Sequence, residues 1–153
     1  MRNKQKGFSL IELLIVVAII LIIAAIAIPN LMRSKMAANE ASAVASLRTI
    51  NTSSVSFSTT YGAFPTALSQ LGPSSTPSST AADLVDNVLA TGTKSGYTFS
   101  FTPGSGATAG TAYSVNADPV SSSTGQRHFY TDQTLVIRAD TSTGATSGSN
   151  PIG

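Results

Sequence analysis

Gly7-Phe8-Ser9-Leu10-Ile11-Glu12-Leu13-Leu14 opens a run that continues through Ile15 to Ile28 and closes on Pro29-Asn30. Between Phe8 and Ile28 only Ser9 and Glu12 interrupt the apolar residues. About 20 such residues, rising about 1.5 Å each in a helix, cross a hydrocarbon core, so a membrane-spanning helix is predicted here. Glu12 is the residue that needs an explanation. A carboxylate within such a helix costs roughly 2.5–3.5 kcal/mol on insertion scales, so something has to neutralise it. A free amine one helical turn away would do so. Cleavage after Gly7 would create that amine at Phe8, in the same chain or in a neighbour.

Two plainer readings of the run are weaker. Ala25-Ile26-Ala27 offers an A-x-A site for signal peptidase, but the run is longer than the 7–15 residues of a signal-peptide core, and a mid-run carboxylate is an odd feature of a discarded segment. A simple membrane anchor would gain nothing from Glu12 either.

At these residues the chain resembles the type IV pilin and pseudopilin family. The resemblance rests on Gly7 before the cut, Phe8 as first mature residue, Glu12 four residues on and Pro29 closing the apolar run, and it extends over roughly residues 7 to 50. It implies cleavage after Gly7 by a membrane prepilin peptidase, N-methylation of Phe8, and polymerisation through Phe8 and Glu12 into a helical homopolymer. The further partners it implies are an inner-membrane platform protein and a cytoplasmic assembly ATPase. No cofactor is implied. The expected function is that of a structural subunit, not an enzyme: a pilus filament serving adhesion, twitching motility or DNA uptake, or alternatively a pseudopilus of type II secretion. The subunit would sit in the inner membrane, N-terminus in the cytoplasm, and afterwards in an extracellular pilus or a periplasmic pseudopilus.

Charge agrees with this once residues 1–7 are set aside as a leader. The chain has nine Lys and Arg against seven Asp and Glu, but Arg2, Lys4 and Lys6 belong to the leader, and without them the net charge moves from +2 to −1. The basic balance therefore gives no reason for a nucleic-acid partner; the leader cations orient the helix. Arg33 and Lys35 reduce that asymmetry without reversing it. There is no cysteine, so disulfides and thiolate metal sites are excluded. Many major pilins close a C-terminal loop with a disulfide; pseudopilins commonly do not.

After Pro29 the helical pattern becomes amphipathic. Val44, Leu47, Ile50, Ser54, Phe57 and Tyr61 recur at three- or four-residue intervals, giving one stripe over residues 30–61. Pro29 lacks an amide hydrogen and predicts a kink or a local loss of helix. The helix should stop near Tyr61-Gly62. Residues 62–96 read as a connecting region with a turn of helix at Pro65–Gly72. A second helix follows a Thr80–Asp83 capping box, burying Leu84, Val85, Val88 and Leu89 and ending at Gly92.

Residues 97–140 read as strands at Tyr97–Phe101, Tyr113–Val115, His128–Tyr130 and Leu135–Ile137, forming an antiparallel sheet of three or four strands against the helix stripe. Residues 141–153, rich in Ser, Thr and Gly, are expected to be a flexible tail. The fold class is thus α+β, a long N-terminal helix on a small antiparallel sheet, similar to the pilin head.

Little else carries chemistry. His128 is a lone histidine, and Asp118, Asp132 and Asp140 lie near strand ends, where turn capping is a better use than calcium because no D-x-D-x-D-G spacing occurs. Asn51-Thr52-Ser53 is a sequon by pattern only, on a predicted helix. No aromatic residue lies between Phe8 and Phe57, which argues against a chain of stacked rings along the helix core. Ser and Thr exceed a quarter of the chain, which suits a solvated or O-glycosylated surface.

Overall fold

The computed structural model describes residues 8–142 and 144–152. The chain divides into two compact units, Met1–Lys35 and Met36–Gly153, with helix α1 (Leu10–Tyr61) contributing to both. In the first unit α1 runs through Pro29 without a break, so no local loss of helix occurs. Its second half buries Ala43, Leu47, Ile50, Ser54 and Phe57. Val44 and Tyr61 are partly buried beside them, which is the stripe the spacing predicts. The helix ends at Tyr61 because Gly62 takes a left-handed φ of 81° and donates its N–H to the Ser58 carbonyl.

In the connecting region a 3-10 turn (Leu68–Leu71) buries Leu68 and Leu71. The second helix is shorter than its sequence pattern suggests. Instead of starting after Thr80, α2 spans Asn87–Ala90 and is capped by Asp86, whose Oδ1 accepts from the Leu89 N–H at 3.0 Å. Two local facts exclude the earlier start. Asp83 sits at φ 56°, outside right-handed helix, and the amides of Ala82, Leu84 and Val85 are spent on the carbonyls of Gln70 and Leu71. Leu89 and Val85 are buried as expected, whereas Val88 is 53% exposed.

Among the described residues, six antiparallel strands follow in simple sequential order: β1 (Thr93–Lys94), β2 (Tyr97–Pro103), β3 (Tyr113–Pro119), β4 (His128–Asp132), β5 (Arg138–Asp140) and β6 (Asn150–Pro151). Alternation sets the faces. Tyr97, Phe99, Val115, Ala117, Phe129 and Thr131 are buried in the core with the helix stripe, while Thr98, Ser100, Asp118, His128 and Arg138 are not.

The strand expected at Leu135–Ile137 lies three residues later, at β5. The Asp132 carboxylate accepts the Thr134 N–H and its carbonyl accepts the Leu135 N–H, both at 2.9 Å, leaving Leu135 at φ 64°. A turn built that way consumes the apolar run, so pairing begins at Arg138.

Residues 144–152, expected to be a flexible tail, are docked. Ala145 is 1% exposed, its carbonyl accepts from Asn116 Nδ2 at 2.9 Å, and the Ser149 carbonyl accepts from Arg138 Nη1 at 3.0 Å. Ile152 N–H then joins the Ile137 carbonyl as β6 closes on β5. The segment is ordered by polar groups on the sheet, which its own low apolar content does not reveal.

Candidate functional site

The first unit begins with a helix cap. Ser9 precedes α1, its carbonyl accepts the Leu13 N–H at 3.3 Å, and its own N–H donates to Glu12 Oε2 at 2.9 Å. This is one arm of a capping box, S-x-x-E, in which a carboxylate at the third helical position satisfies a donor that the helix cannot. The Ser9–Glu12 spacing carried that signal in the sequence, although Glu12 is read there only as the partner of an amine. Negative charge is also favoured at this end by the helix dipole. The other oxygen, Oε1, has no hydrogen bond among the described residues, so the carboxylate can hold its cap and still accept from a second donor.

Phe8 is 77% exposed, and Gly7 lies outside the described residues. Along the span that follows, Leu10 is 75% exposed and even the least exposed of the large side chains, Val17, is 45% exposed. The span is apolar on all sides, and none of its membrane-length window is buried among the described residues.

The second unit is held by polar contacts that the sequence pattern does not show. Glu40 on α1 accepts from the backbone N–H groups of Gln126 and Arg127 at 3.0 and 3.3 Å and from Arg127 Nε at 2.8 Å. Partial burial works against its charge, but these donors and the guanidinium prevail and hold its carboxyl below the usual range. Asn39 Nδ2 donates to the Thr124 carbonyl at 2.9 Å, tying the same β3–β4 loop to the helix. A side chain at Gly125 would collide with Tyr97, whose hydroxyl donates to the Arg127 carbonyl at 2.9 Å.

Asn51, dismissed as a sequon, is a buried junction between α1 and the sheet. It donates to Thr131 Oγ1 at 2.8 Å and accepts from the Tyr113 hydroxyl at 3.0 Å. Burial pushes the Tyr113 hydroxyl up to about 12, so it remains a donor throughout the physiological range.

His128 is not as isolated as its sequence context suggests. Its Nδ1–H donates to Asp118 Oδ1 at 2.6 Å across β3 and β4. Asp132 and Asp140 cap turns through Thr134 and Ser142, as strand-end aspartates are expected to. Among the described residues no three His, Asp or Glu side chains come together as a metal site. The four rings Phe57, Tyr61, Phe64 and Tyr113 pack pairwise within 4.9 Å, all in the second unit.

Residues 2–28 match the model of the prokaryotic N-terminal methylation motif. Among characterised proteins, the chain is 41% identical over 92 residues to the type IV wide pilus major component PilA4 of Thermus thermophilus, an alignment covering 56% of this chain and 66% of the relative. It is 46% identical over 54 residues to the type IV major pilin protein PilA of Myxococcus xanthus, covering 35% of this chain and 24% of that one. The alignments thus span just under two thirds of the first relative and about a quarter of the second. No solved structure matches. The long apolar N-terminal helix with a six-stranded antiparallel sheet among the described residues is consistent with the α+β fold of the type IV pilins, the proteins this chain is similar to.

Proposed function

We propose that this chain is the structural subunit of a type IV pilus, cut after Gly7, methylated on the Phe8 amine, and polymerised through Phe8–Ile28. The observation that carries this reading is the exposed apolar span whose single carboxylate, Glu12, keeps one oxygen without a partner among the described residues. In the membrane the helix is solvated by lipid; in a filament the same surface packs on copies of itself. The free Glu12 oxygen accepts from the Phe8 amine of an adjacent subunit. The cost of an unpaired buried charge then penalises wrong axial registers. Pro29 offers no N–H to the Ala25 carbonyl, so the helix can bend there when subunits pack.

The subunit performs no reaction in this scheme; cleavage and methylation are done to it by prepilin peptidase. A platform protein and an assembly ATPase extract it from the inner membrane, N-terminus inward, into an extracellular fibre. Both relatives are named as major pilins, which favours a pilus over the pseudopilus alternative. The test is intact mass of fibres sheared from cells that express the chain. The expected result is a subunit beginning at Phe8 and carrying one added methyl group. A processed subunit confined to the membrane fraction, with no surface fibre, would point to the pseudopilus.

A further inference from the structure

Among the described residues of the second unit, nearly every charged side chain has a partner in its own chain. Glu40 holds Arg127, Asp86 holds Lys94, Asp118 holds His128, Arg138 donates to Ser149, and Asp132 and Asp140 cap turns. Arg48 and Asp83 are the exceptions: both are exposed, and neither makes a side-chain hydrogen bond or ion pair.

Arg48 stands beside exposed apolar surface, and Asp83 precedes an exposed valine in sequence. Arg48 lines a groove of about 440 Å³ with Asn51, Thr52, Val55 and Leu135. Val55 and Leu135 are 40% and 48% exposed, and Leu135 is held at a left-handed φ of 64°, which a leucine rarely adopts. On the other side, Asp83 lies five residues before Val88, which is 53% exposed.

The helix shows where these two surfaces lie. Ser53 Oγ donates to the Leu84 carbonyl, next to Asp83, while Asn51 Nδ2 donates to Thr131 beside the Leu135 turn. Two residues at 3.6 per turn place those side chains about 160° apart around α1. The carboxylate and the groove are therefore on opposite flanks, out of reach of each other within one chain.

We propose that the Arg48 groove of one copy receives the Asp83–Val88 segment of a second copy, with Asp83 on the Arg48 guanidinium and Val88 against Val55 and Leu135. A cation in an apolar groove and an anion five residues before an exposed valine, neither paired among the described residues, belong to the same chain and complement each other. Because the two surfaces differ and lie on opposite flanks, the contact is head-to-tail and repeats from copy to copy without closing as a pair. It rests on the filament reading and adds a contact between heads to the packing of the apolar helices.

The chain has no cysteine, which makes the test direct. Full-length Arg48→Cys/Asp83→Cys, expressed in the pilus-forming cell and treated with a short bismaleimide, is expected to give a ladder of multimers on a denaturing gel, whereas either single variant gives monomer. Charge reversal supplies an independent check: Arg48→Asp and Asp83→Arg should each lower the yield of sheared fibres several-fold, and the double reversal should restore it. Fibres from the double-cysteine variant without a ladder, or singles that cross-link to dimers as efficiently as the pair, overturn this contact and leave the filament reading standing. Absence of fibres from the unaltered chain overturns the filament reading, and this contact with it.

Discussion

Helix α1 has two halves of one secondary structure and opposite logic. From Leu10 to Ile28 every large side chain is substantially exposed, and no stripe distinguishes one face from another. From Ala43 to Phe57 a narrow stripe is buried and the opposite face carries Arg48, Thr49 and Thr52 in solvent. The first half has no partner among the described residues to bury it, and on the proposed function lipid or other copies cover it. The second half is satisfied by its own sheet. Changes in the first half should therefore alter assembly while leaving the head folded, and changes in the second half should alter the stability of the head.

The largest effect expected from that division is at Glu12. Glu12→Ala removes the oxygen that has no partner among the described residues and the cap on Ser9 together. Losing the cap weakens the first turn by about 1 kcal/mol, a modest loss for an isolated arm of a capping box. On the proposed assembly, losing the charged partner also removes the register signal for the whole helix surface. Sheared fibres should fall to background, while cleavage after Gly7 continues and the thermal unfolding midpoint of the head stays unchanged. Normal fibre yield from this variant would break the comparison, because the apolar helix would then assemble by shape alone.

The two halves were also unequally legible in sequence. A run of apolar residues with one carboxylate is a signal that survives without any knowledge of the partner, and the 3.6-residue stripe from Val44 to Tyr61 is equally local. The strands at Tyr97, Tyr113 and His128 alternate plainly enough to be read. What could not be read depends on contacts distant in sequence. Asp83 turned left-handed because the amides around it bond to residues 70 and 71, and Asp86 took over the cap. The apolar run Leu135–Ile137 looks like a strand until the Asp132 turn consumes it. The tail is poor in apolar residues, yet Asn116 and Arg138 order it from residues 29 and 11 positions away. The Glu12 cap is local by contrast: Ser9 and Glu12 are three apart, a capping-box spacing legible in the sequence.

Within the second unit, Asn51 sharpens the comparison because it looks polar and surface-like by type yet is 4% exposed. Asn51→Ala leaves the Tyr113 hydroxyl and the Thr131 hydroxyl without their side-chain partner in a buried place, and one unsatisfied buried group costs about 1–3 kcal/mol. The expected loss of head stability is about 2–4 kcal/mol, read by denaturant unfolding of the detergent-solubilised chain. If the loss were below about 0.5 kcal/mol, the junction would be incidental and the apolar stripe would hold the sheet alone.

The smallest effect is expected at Glu40, and it has a pH signature. Its folded carboxyl is held below the ordinary value of 4.5 by the amides of Gln126 and Arg127 and by the Arg127 guanidinium, which outweigh its burial. A group whose folded pKa is depressed contributes stability that is fully present above the unfolded pKa and is lost as pH falls through the folded value. Glu40→Gln should thus cost about 1 kcal/mol at pH 7, the usual scale for a partly buried charge-assisted pair, and the difference from the unaltered chain should shrink as the pH drops below about 4.5. Asn39 holds the Thr124 carbonyl independently, so the β3–β4 loop stays attached in the variant and limits the loss. Unfolding midpoints compared at pH 7 and pH 3 decide the matter. A difference that persists unchanged at pH 3 would mean that Glu40 acts by shape, and a charge pair would no longer be needed to explain how the loop is tied to the helix.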